Sequence, residues 1–76
     1  MGINLAKAPL RAPLTLVNAG SDDAVSRRLA ALGLRIGSDF SLISKTAGGG
    51  RVALVAGTRI ALGRSLLQEL RARVVD

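Results

Sequence analysis

The feature that most constrains this chain is a change of hydrophobic period at Gly33. Before it, Val25, Leu29 and Leu32 recur at helical spacing; after it, apolar residues alternate with polar ones in short runs separated by glycines. Both ends of the helical stretch are marked. Ser21 stands where an N-cap is wanted, and Asp22 and Asp23 put negative charge at the positive end of the helix dipole. Gly33 can adopt the left-handed conformation that stops a helix, with Leu34 beyond it folding back onto the last turn. The pattern predicts a helix over residues 21–32 with Val25, Leu29 and Leu32 inward and Arg27 on the opposite face.

Around this helix the chain reads as strands. Leu14 to Val17 is a first short strand, and Ser38 to Ser44 a second with Phe40 and Leu42 inward. The glycines at 48–50 form a flexible connection to Arg51–Ala56, where Val52 and Leu54 are the expected inward pair. Gly57-Thr58 is the hairpin candidate before Arg59–Leu62 returns. Leu66, Leu67 and Leu70 have helical spacing, giving one or two turns, and Arg71 to Val75 then pairs with the first strand, Val74 inward. The expected architecture is a mostly β, five-stranded barrel with one inserted helix and a short helical turn before the last strand. Residues 1–13, which hold Pro9 and Pro13, read as an extended lead-in, and residues 14–76 as the domain.

Residue types that are missing narrow the function. The 76 residues include no Cys and no His, which removes the usual ligands for transition metals and the commonest general base. Asp22, Asp23, Asp39, Glu69 and Asp76 are the only acids, and no base stands ready to activate any of the serines. The expectation is therefore no catalytic residue, no metal site and no cofactor. Gly48-Gly49-Gly50-Arg51 is not a nucleotide-binding phosphate loop, because that loop joins a strand to a helix and here both flanks are strands.

What remains is binding. Eleven Lys and Arg against five Asp and Glu give a net charge of +6, suited to an acidic partner. Arg27 and Arg28 on the helix are the first candidates for partner binding, with Arg59 and Arg64 second. Phe40 is the only aromatic residue, so stacking platforms for single-stranded nucleic acid are missing, and a basic nucleic-acid or ribosome-associated domain stands only as the alternative. No run approaches the ~20 apolar residues of a membrane span, so a cytoplasmic protein without membrane insertion is expected. Exposed strands and the apolar lead-in leave self-association open.

The order of these pieces resembles a family. Arg28-Leu29-Ala30-Ala31-Leu32-Gly33-Leu34, then Arg35-Ile36-Gly37-Ser38, then Gly57-Thr58-Arg59-Ile60-Ala61-Leu62-Gly63-Arg64 with Leu66 to Leu70 and Val74, is similar to the ferrous iron transport protein A (FeoA) family over about residues 12–76. The resemblance implies an SH3-like barrel. It further implies a cytosolic accessory protein of ferrous iron uptake that binds the cytosolic part of the membrane iron transporter FeoB, at the inner face of the membrane, and modulates its activity.

Overall fold

The computed structural model describes residues 2–75. Its strands are β1 (Ile3–Asn4), β2 (Leu14–Asn18), β3 (Asp39–Lys45), β4 (Arg51–Val55), β5 (Thr58–Leu62) and β6 (Arg71–Val74). The helices are α1 (Asp23–Ala31), between β2 and β3, and the single turn α2 (Arg64–Leu67), between β5 and β6. All strand pairs are antiparallel, in the order β1-β6-β2-β3-β4-β5. β3 is the hinge of the barrel: its start pairs with β2 and the rest with β4, and a register shift between Leu42 and Ser44 bends it from one half to the other.

Six strands stand where five were expected. The extra one is β1, two residues long and too short to show alternation, and the expected closure of the last strand on the first appears as β6 paired with β2. Nor is the lead-in extended. After β1, Leu5 is fully buried and Ala8 nearly so, and the backbone is tied down by Leu5 N–H to Leu70 O (3.1 Å) and Arg11 N–H to Leu42 O (2.7 Å). Asn4 fixes the turn with its side chain, donating to Gln68 O and accepting from the Ala6 amide.

The inward face of β4 is the reverse of the expected one. Arg51, Ala53 and Val55 are buried, while Val52 and Leu54 are half-buried on the other face. The turn sets this phase. Val55 pairs with Thr58, so the loop is Ala56-Gly57, with φ of 51° and 80° respectively, the two left-handed residues of a tight hairpin. The turn thus falls one residue earlier than Gly57-Thr58. Inside the barrel, Arg51 is only 8% exposed and its guanidinium donates from Nη1 to Ala8 O (2.5 Å) and from Nη2 to Ala6 O (2.8 Å). A charged side chain thus occupies a core position and ties the lead-in to β4.

The remaining core is aliphatic apart from Phe40. Leu14, Leu16, Leu42, Leu67 and Leu70 are fully buried, and Phe40, Val55 and Leu62 nearly so. Ala72 is the buried residue of β6, with Val74 half-buried on the same face.

Replacing Arg51 with Met keeps the bulk but leaves the Ala6 and Ala8 carbonyls without donors, which should cost about 2–3 kcal/mol. In thermal unfolding followed by circular dichroism, that loss lowers Tm by at least about 8 °C for a domain of this size. Ala56→Asn, at a left-handed position where a β-carbon is strained, should instead raise stability by about 0.5–1 kcal/mol.

Candidate docking surface

Helix α1 is capped by Asp22, not Ser21. Asp22 holds an extended backbone, and its Oδ1 accepts from the amides of Ala24 (2.9 Å) and Val25 (3.3 Å). Either residue type caps well, so composition alone could not place the start to the residue.

The other end of α1 shapes the surface. Gly33 has φ +98°, its amide donates to Ala30 O (3.0 Å), and the Leu34 amide reaches back to Leu29 O (2.8 Å). This paired closure buries Leu34 with Leu29 inside the barrel. It also turns Leu32 outward: Leu32, expected on the inward stripe, is 45% exposed because the chain reverses immediately after it.

The loop from Gly33 to Ser38 is fastened on several sides. Ser38 Oγ accepts from the Arg35 amide and donates to Gly33 O, both at 3.1 Å. The Gly37 amide donates to Leu16 O (2.8 Å), and the Leu16 amide to Ser38 O (3.0 Å), which ties the loop to β2. At its tip Ile36 is 65% exposed. A short anchored loop therefore presents Leu32 and Ile36 to solvent, with Arg35 exposed between them.

The four candidate arginines divide between two ends of the barrel. Arg27 and Arg28 are exposed on α1, close in sequence to Leu32 and Arg35. Arg59 is exposed on β5 beside Thr58, and the strand end paired with Thr58 is Val55, against which Gly33 lies; a methyl on Gly33 would stand 3.4 Å from Val55 Cγ1. Arg64 is at the far end of β5, roughly 15 Å along the strand direction. Its stem lies over the connection between β3 and β4, where a methyl on Gly49 would come within 3.0 Å of Arg64 Cδ.

Sequence reasoning did not single out Ile36 or Arg35. The signal available was a large aliphatic residue in the short loop between the helix-terminating Gly33 and the turn glycine Gly37. Among the described residues, no three His, Cys, Asp or Glu side chains come together as a metal site, and no helix is long and apolar enough to cross a membrane.

Comparison with known proteins decides the family. A profile of the FeoA domain matches residues 3–74. The chain belongs to the FeoA family. Among solved structures, the FeoA protein of Chlorobium tepidum superposes with a TM-score of 0.87 at 17% identity, over 97% of this chain and 71% of that one. An iron uptake regulatory protein (FeoA) does so with a TM-score of 0.85 at 21% identity, over 99% and 100%. The zinc complex of Stenotrophomonas maltophilia FeoA, described as a procaryotic SH3 domain protein and a candidate ferrous iron transport activating factor, gives 0.74 at 26% identity, over 93% and 89%. No curated protein matches the chain. The FeoA match begins within β1, in keeping with the packing of residues 3–13 onto the barrel.

Because Leu32 and Ile36 are exposed, Leu32→Ser and Ile36→Ser should each change unfolding free energy by no more than about 0.5 kcal/mol. Gly33→Ala, by contrast, should cost about 1 kcal/mol or more, since the left-handed backbone at the helix stop strains a β-carbon. Chemical denaturation of the three variants checks both, and equal losses would show that the loop is held by something other than this turn.

Proposed function

We propose that this protein is an accessory factor of ferrous iron uptake that docks on the cytosolic part of the membrane iron transporter FeoB and modulates its activity. Family membership supports the iron-uptake setting. The observation that carries the docking reading is the anchored loop after α1, with its exposed Leu32 and Ile36 flanking exposed Arg35 and following the exposed Arg27 and Arg28 of the helix.

The physical division of labour follows from those groups. Burial of an exposed aliphatic side chain in a partner's cleft contributes roughly 1.5–3 kcal/mol when complete. The surrounding arginines select an acidic surface and speed encounter, a contribution that added salt screens. Arg59 extends the basic side of this end of the barrel, while Arg64 lies away from it. In this reading the protein acts by contact, at the inner face of the membrane, and holds neither iron nor nucleotide.

Pull-down of the transporter's cytosolic part by the purified chain tests the reading. Arg27→Glu combined with Arg28→Glu should abolish capture at moderate salt and leave the circular dichroism spectrum unchanged. Leu32→Ser with Ile36→Ser should weaken capture at every salt concentration. Wild-type capture by both double variants would sink this face, and retention of nucleic acid in place of transporter, lost steeply with salt, would favour the alternative basic-domain function.

A further inference from the structure

The opposite end of the barrel holds an unusual arrangement of charge. Lys45 and Arg51 are directly opposed across the β3–β4 pair, a placement in which like charges repel. Both line an open groove of about 210 Å³, together with Ala6, Thr46, Gly49 and Gly50. The stem of Arg64 lies against Gly49, which lines the groove, and so brings a third basic side chain into its neighbourhood. The described carboxylates stand elsewhere. Asp22 and Asp23 are at the start of α1, and Glu69 lies against Gly20. Asp39 accepts from Thr15 Oγ1 at the other end of β3, about 20 Å from Lys45.

Arg51 is poised to use this groove. Its two terminal nitrogens are bonded to the lead-in carbonyls, whereas Nε makes no hydrogen bond among the described residues. Since no fully buried side-chain nitrogen is left without a partner there, Nε is not wholly shut off from solvent, and Arg51 is among the residues that line the groove. Arg51, only 8% exposed as a residue, thus stands beside the groove with two neutral carbonyls as the hydrogen-bond acceptors of its guanidinium. Buried charge of this kind calls for an opposite charge.

We propose that the groove between Lys45, Arg51 and Arg64 is a binding site for a phosphate-class oxyanion. The site differs from a nucleotide-binding phosphate loop, because its donors are side chains at a strand pair and its glycines join two strands. The groove's volume accommodates a single tetrahedral oxyanion with some water. A dianion would relieve the Lys45–Arg51 repulsion and meet the Nε–H and the Lys45 ammonium at once. This proposal does not rest on the docking reading, whose surface is at the other end of the barrel.

Titration of the full chain with inorganic phosphate, followed by amide chemical shifts against chloride at matched ionic strength, is the test. Saturable shifts at Lys45, Thr46, Gly49 and Gly50, absent at Arg27 and Arg28, are expected. Lys45→Ala and Arg64→Ala, both at exposed positions, should each weaken binding by about tenfold, the scale of one charge-assisted contact. A parallel titration with methyl phosphate separates the sources. Binding of inorganic phosphate alone assigns the site to the free ion, and binding of both assigns it to a phosphoryl group on a larger molecule. Shifts that spread over all basic residues, or an affinity unchanged in both variants, would overturn the proposal.

Discussion

The two hydrogen bonds from Arg51 to the carbonyls of Ala6 and Ala8 join parts of the chain more than forty residues apart and give the lead-in its place. They act together with the backbone bonds of Leu5 to Leu70 and of Arg11 to Leu42 and with the burial of Leu5 and Ala8. Turn backbone facing a barrel must find donors for its carbonyls, and Pro9 and Pro13 have no amide to offer in exchange. One guanidinium on β4 supplies two donors at a fixed spacing, which a lysine could not do with the same geometry. Leu5 then fills the adjoining space, and β1 adds to the edge of β6.

A chain of 76 residues has little apolar area to spare, so this arrangement matters to stability. The buried positions of the barrel combine small residues, such as Ala53 and Ala72, with fully buried leucines. Two register shifts, one in the β2–β6 pair and one in the β3–β4 pair, supply the bending that lets short strands wrap around so small a core. The two ends of the barrel differ in what they carry: the loop after α1 shows aliphatic side chains, and Lys45, Arg51 and Arg64 lie around Gly49 at the other.

The sequence was most legible where period and punctuation agreed. The helix, the strand with Phe40 and Leu42 inward, the hairpin and the leucine-rich turn at residues 64–70 were all readable because each rests on local spacing. Its failures have a common cause. The facing of Arg51 and Val52, the outward turn of Leu32 and the packing of Leu5 depend on partners distant in the chain or on a one-residue phase. In β4, hydrophobicity favoured Val52 and Leu54 over Arg51 and Ala53, and only the position of the turn at Ala56-Gly57 reverses that preference. Arg27, Arg28, Arg59 and Arg64 were legible as exposed cations. Their division between two ends of the barrel was not, since no local pattern relates α1 to the ends of β5.

The fastening of residues 33–38 has a thermodynamic corollary. With Ser38 bonded to both Gly33 and Arg35, and Gly37 held by Leu16, the loop has already given up most of its backbone freedom before any partner arrives. Association through it would carry little ordering penalty on this side, and any induced fit would fall to the partner. Such a surface resembles a rigid key more than an adaptable grip. It favours partners that offer a matching cleft over those that must be moulded to it, so discrimination would rest on shape as much as on charge.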